Sequence, residues 1–164
     1  MFPYRVQQFK VQNMLTDIQR QAIVDEALSW VGTPYHGHSC TKGAGADCGQ
    51  FIIGVYRNCG HFPAGVEVPE NYPLQVAQHK KDTRYVNTVL TYMDEISEVQ
   101  VKPGDVVIYK IGLAFTHAAI IVKWPEYVIH AIETHGVSAG HGSNTKFGKL
   151  EKRFFTIKNE YIGK

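Results

Sequence analysis

The chain has 164 residues, 44% hydrophobic and 20% charged, with a formal net charge of +2. This is ordinary globular composition within the usual size of one domain, and it argues against disorder. Basic residues are scattered, and the densest run, His79-Lys80-Lys81, reads as a solvated helix face rather than a nucleic-acid tract.

No apolar stretch approaches membrane-spanning length. The N-terminal residues lack the long apolar core of a secretory signal, so the expected location is cytoplasmic as synthesised. Cys40, Cys48 and Cys59 are odd in number, so at least one is unpaired within the chain. A reducing compartment is the simpler setting.

In chain order, residues 1–15 show weak periodicity and are expected to form an arm, with one domain over 16–164. Thr16 or Asp17 caps a predicted helix to about Val31, with Ile18, Ala22, Ile23, Ala27, Leu28 and Val31 near one face. Gly32 ends it and Thr33-Pro34 opposes continuation. Residues 32–46 form a Gly-rich loop. Asp47 is the expected N-cap of a second helix from Cys48 to about Cys59, whose apolar face is Phe51, Ile52, Val55 and Tyr56.

Residues 61–73 hold three prolines and read as irregular. Short helical stretches are expected near 74–80 and 84–94. The period then changes. After the turn Lys102-Pro103-Gly104-Asp105, the segments 105–111, 116–123, 127–132 and 153–158 read as strands, with 136–142 as a flexible link. Helices first and strands afterwards indicate an α+β domain with N-terminal helices packed on an antiparallel sheet.

Cys48 opens the second helix after a Gly/Ala-rich approach. Unpaired N–H groups and the positive dipole end at a helix start favour a thiolate. The expectation is therefore a thiol of lowered pKa, suited to nucleophilic attack. His117 shares a strand face with Ala119 and Ile121, and His130 shares one with Val128 and Ile132. A hairpin near Trp124-Pro125 puts His117 opposite His130 or one diagonal step away. If the Cys48 helix packs on that face, nucleophile, base and orienting group converge.

Each residue has a plainer reading. A strand histidine is more often structural, and a buried cysteine such as Cys59 is usually a small hydrophobe. His36, His38, Cys40, Cys48, Cys59 and His61 contain no Cys-x-x-Cys or His-x-x-x-His pair, and their spacing matches no common zinc pattern. No phosphate-loop signature follows the glycines. What singles out Cys48 is the helix start, the flexible approach and two histidines in register.

Five segments in order, Trp30-Val31-Gly32-Thr33-Pro34-Tyr35, Asp47-Cys48, Pro103-Gly104-Asp105-Val106-Val107, Thr116-His117-Ala118-Ala119-Ile120 and Ile129-His130-Ala131, resemble the NlpC/P60 cysteine peptidases over about residues 18–157. The resemblance implies a papain-like α+β fold and cleavage of amide bonds in peptidoglycan stem peptides, with no cofactor. It implies Cys48 as nucleophile, His117 as general base and later acid, and His130 as the orienting third member. Tyr35 matches a tyrosine lining the active site near the oxyanion. Asp47 matches the acidic residue that caps the helix and faces the substrate.

Many members read Asp-Cys-Ser-Gly, whereas this chain reads Asp47-Cys48-Gly49-Gln50, which puts fine specificity in question. The compact length, His36-Gly37-His38 and Arg153-Phe154-Phe155 look most like a branch associated with phage and prophage tails, which implies tail proteins as partners and action at the cell wall as part of a phage particle. The alternatives are a related thiol amidase or acyltransferase, a non-catalytic tail component of the same fold, and a metal-binding module.

Overall fold

A computed structural model describes residues 14–66, 81–144 and 146–164. Residues 1–13 of the expected arm and the helical stretch expected near 74–80 lie outside the described residues. Leu15, at the end of that arm, is buried in the core. No helix among the described residues is long and apolar enough to cross a membrane.

Helix α1 spans Asp17–Ser29. Thr16 caps it in a reciprocal box with Gln19, satisfying two backbone donors at the helix start. Its inward face differs from the one predicted. Arg20, Ile23, Val24 and Ala27 are buried, whereas Ile18 is 84% exposed and Leu28 and Val31 also face outward. Arg20 shares this inward face with the residues at i+3, i+4 and i+7 and pairs with Asp105 at 2.9 Å.

Helix α2 spans Cys48–Asn58 and follows a small hairpin of β1 (Cys40–Thr41) and β2 (Gly45–Ala46). Its N-cap is Asp47, as expected, and Gly60 follows it with φ of 73°. Eight of its residues are buried, so it is the central helix rather than a surface one. Trp30 meets Phe51 edge-on at 5.8 Å, and the Tyr56 hydroxyl donates to the Gly104 carbonyl.

Helix α3 spans Arg84–Tyr92, shorter than the predicted 84–94, because Met93–Ile96 leaves the helix to become strand β3. The sheet continues with β4 (Val106–Ile111), β5 (Ala114–Lys123), β6 (Tyr127–Ile132), β7 (Gly136–Gly140) and β8 (Lys152–Ile157). Its order is β3-β8-β4-β5-β6-β7, and every described pairing is antiparallel.

Strand β7 replaces the expected flexible link. Its glycines serve close approach, not mobility. Gly136 has φ of 66°, and a Cβ there would lie 2.3 Å from the Thr33 carbonyl oxygen. This lets Val137 exchange two backbone hydrogen bonds with the 32–33 loop, at 2.8 and 2.9 Å, fixing the segment that leads to Tyr35.

The sheet has a core on each face. Ala118, Ile120, Ile129 and Ala131 pack with Phe51, Ile52 and Val55 of α2. Val107, Tyr109, Ala119, Ile121 and Val128 form a second cluster, covered by Phe147 and Phe154. The two histidines belong to this second face, and that placement shapes the site.

Candidate active site

Asp47 holds the Cys48 end of α2 in place. It is fully buried; Oδ1 accepts the Gln50 N–H at 2.9 Å and Oδ2 accepts the His38 N–H at 2.6 Å. It therefore ties the left-handed residue His38 (φ 59°) to the first turn of α2. The carboxylate acts on the backbone as a cap and has no exposed surface.

The Cys48 thiol donates to the Thr116 carbonyl at 3.3 Å, and the Ala118 N–H faces the sulfur. Strand β6 pairs with β5 only from Ala119, opposite His130, onward. The main-chain groups of residues 116 and 118 are thereby left for the thiol. The sulfur rests against the strand on either side of His117.

The two imidazoles meet directly. His117 Nε2 lies 3.0 Å from His130 Nδ1, one diagonal step apart across the hairpin, since His130 pairs with Ala119. Phe147 stacks on His117 at 5.5 Å with 10° between planes, and meets His130 edge-on at 5.6 Å. Tyr109 closes the cluster and donates its hydroxyl to the Gly142 carbonyl at 2.8 Å.

Helix α2 packs on the opposite face of β5 from the one that carries the imidazoles, contrary to the expectation of one shared face. The thiol meets the backbone of β5 at the edge that β6 leaves unpaired. Its hydrogen bond in this structure goes to Thr116 rather than to an imidazole.

The expected lowering of the thiol pKa is reversed by enclosure. Burial, with the negative charge of Asp47, pushes Cys48 up to about 12. The N–H groups of Ala118, Gly49 and Cys48 itself pull the other way but do not offset desolvation. The helix start is present as read; its enclosure decides the sign.

Both imidazoles are held neutral. Burial pushes His117 down to about 3, and the nearby His130 ring, which would repel a second proton, and the Lys146 ammonium act in the same direction. Burial and then Lys146 push His130 down to about 4. An unfolded histidine binds its proton near pH 6.5, so the unfolded chain takes up protons that the folded chain refuses as pH falls from about 6.5 toward 4. Stability is therefore lost on acidification across that window. For His130, 4% exposed, the loss reaches about 2 kcal/mol at pH 5. Urea midpoints measured from pH 7 to 5 are expected to fall, with a shallower slope in His130→Gln. An unchanged slope in that variant would contradict the assignment.

Tyr35 is half-buried and forms a parallel bridge with Ala46 beside the start of α2. Its phenol is held protonated, first by burial and then by Cys48, Asp47 and Glu133. Tyr85, near the start of α3, was not identified from the sequence. It is buried, and the same groups, Cys48, Asp47 and Tyr35, act on its hydroxyl after burial. No local signal marks it, because it reaches the site across a helix–helix contact.

The chain is an α+β domain with a buried thiol at a helix start and a histidine pair on the adjoining hairpin. The model of the NlpC/P60 family matches residues 32–157, and the chain belongs to that family. No curated protein matches the chain.

Among solved structures, the NlpC/p60 domain of the peptidoglycan hydrolase SagA is similar at 22% identity and a TM-score of 0.56, over 82% of this chain and 96% of that one. An NLP/P60 lipoprotein-like protein from Staphylococcus aureus is similar at 23% identity and a TM-score of 0.60, over 88% of this chain but 43% of its own length. The peptidoglycan hydrolase RipB from Mycobacterium tuberculosis is similar at 12% identity and a TM-score of 0.56, over 86% of this chain and 65% of its own.

Proposed function

We propose that this protein is a cysteine peptidase that hydrolyses amide bonds in peptidoglycan stem peptides through Cys48, His117 and His130. The supporting observation is the placement of the Cys48 sulfur against residues 116 and 118, flanking a histidine whose ring lies 3.0 Å from a second histidine. Two of the similar structures are named as peptidoglycan hydrolases, which supports the substrate class.

The roles follow from the tautomer that proton transfer requires. With Nε2–H of His117 donating to Nδ1 of His130, Nδ1 of His117 is free to accept the thiol proton. Thiol and imidazole both start neutral, so proton transfer accompanies attack on the substrate carbonyl. The N–H groups of Cys48 and Gly49 have no acceptor within the helix. They face the sulfur and can donate to the oxyanion as it forms. His117 then returns the proton to the departing amine, and water releases the acyl group from sulfur. Tyr35 lies beside the same sulfur as a protonated hydroxyl, suited to a further donated bond.

The likeness to the tail-associated branch makes the cell wall met by a phage particle the proposed setting. Mass spectrometry of peptidoglycan incubated with the protein tests the reading, with shortened stem peptides as the expected product.

A further inference from the structure

His117 lies where the sheet gives it a strand neighbour on one side. It stands opposite Tyr109 of β4, whereas β6 pairs with β5 only from Ala119 onward. Rotation of a histidine ring about its Cβ–Cγ bond is soft. A modest turn there would break the 3.0 Å contact between His117 Nε2 and His130 Nδ1.

The restraint comes from outside the sheet. Phe147, in the connection between β7 and β8, is 6% exposed. Its ring lies within 10° of parallel to His117 at 5.5 Å and meets His130 edge-on at 5.6 Å. The two imidazoles are 64° apart, so one ring can face the first and abut the second. Turning His117 about its Cβ–Cγ bond would drive a ring edge toward the Phe147 face.

The connection that carries Phe147 is itself anchored. Gly142 donates its N–H to the Pro125 carbonyl and accepts the Tyr109 hydroxyl, both at 2.8 Å. A Cβ on Gly142 would lie 2.3 Å from Cζ3 of Trp124, so glycine is what lets the chain pass so close. Asn144 Oδ1 accepts the N–H groups of Lys146 and Phe147 at 3.0 and 3.1 Å.

From this geometry we infer that Phe147 is a positioning residue: its ring holds the plane of His117 so that Nε2 meets His130, and keeps water off the imidazole pair. This rests on the peptidase reading above. Phe147 acts through His117 rather than on the substrate.

The groups facing His117 are His130 from β6, Tyr109 from β4 and, from the same connection, the Lys146 ammonium, 5.6 Å from the centre of the Phe147 ring. The Cys48 thiol lies against the strand backbone at Thr116. Both imidazoles owe their low proton affinity first to burial. Opening the Phe147 side to water should therefore raise it toward the usual histidine value.

The test compares full-chain wild type, Phe147→Leu, Phe147→Ala and Phe154→Leu by steady-state kinetics on a stem peptide across the acid limb of the pH profile, with circular dichroism for folding. Phe154 belongs to the same apolar cluster but packs edge-on against Trp124, which makes it the control for packing alone. Phe147→Leu keeps most of the apolar volume and loses the flat face. Its kcat should fall roughly tenfold with KM within about twofold, the upper range of what one aromatic pair is worth. Phe147→Ala should fall further. On acidification its kcat/KM should begin to drop at a higher pH than that of the wild type, because a protonated His117 cannot act as a base. Phe154→Leu should keep the wild-type kcat.

A Phe147→Leu protein with wild-type kcat overturns the assignment, and this variant decides the matter alone where Phe147→Ala does not fold. A Phe154→Leu protein that loses as much kcat as Phe147→Leu also overturns it, as does an unmoved acid limb in folded Phe147→Ala. A folded wild type that cleaves no stem peptide overturns the peptidase reading itself, and this inference with it.

Discussion

Replacing Cys48 by Ala is expected to lower kcat on stem peptides by roughly 10⁶-fold, and His117→Ala should lower it by about as much, because nucleophile and base act as one unit. The double variant should be little worse than either single one. His130→Ala should cost less, roughly 10⁴-fold, since in the proposed mechanism His130 orients His117 through the 3.0 Å contact and transfers no proton to substrate. Steady-state kinetics with circular dichroism on each variant checks this. A His130→Ala protein slower than His117→Ala would reverse the two roles.

The second large effect concerns stability. Arg20 and Asp105 form an ion pair at 2.9 Å, with side chains 7% and 1% exposed. Arg20 Nη1 also donates to the Pro103 carbonyl at 3.0 Å, and Asp105 Oδ2 accepts the Lys102 N–H at 2.9 Å. The pair joins α1 to the turn that starts β4.

Arg20→Met leaves the Asp105 carboxylate buried without its cation, which should cost about 3–5 kcal/mol in urea unfolding. Replacing both residues by apolar ones of similar volume should cost less than Arg20→Met alone. An Arg20→Met protein within about 1 kcal/mol of the wild type would show that the buried carboxylate has another counter-charge.

Much of the frame was legible because local chemistry and long-range packing agreed. Asp47 as N-cap, the apolar run of α2 and the Val/Ile-rich strands each carry their own signal. The Trp124-Pro125 turn and period-2 alternation were enough to place His117 opposite His130 or one diagonal step away, and the structure has the diagonal.

The misses share one cause: a distant partner decided the outcome. Met93–Ile96 follows directly on a helix and becomes β3 only by pairing with residues 154–157. Gly136–Gly140 has linker composition, yet it closes the edge of the sheet against β6. The face of α1 was read from apolar spacing alone, which could not foresee that Arg20 faces inward, where it meets Asp105, 85 residues away.

The candidate site shows the same division. Cys48, His117 and His130 could be singled out by position, but their electrostatics could not. A helix start favours a thiolate in an exposed peptide; enclosure beneath β5 reverses the balance for Cys48. The face assignment failed for a similar reason. Alternation shows which residues share a face, not which helix will cover it, and α2 chose the face of Ala118 and Ile120.

The most direct measurement of the central claim is mass spectrometry of peptidoglycan fragments after incubation with the wild-type protein and, in parallel, with Cys48→Ala. The expected result is a new set of shortened stem peptides from the wild type alone, each differing from its parent by hydrolysis of one amide bond. Identical fragments from Cys48→Ala, or intact stem peptides from a folded wild-type protein, would contradict the assignment of Cys48 as the nucleophile of a stem-peptide hydrolase.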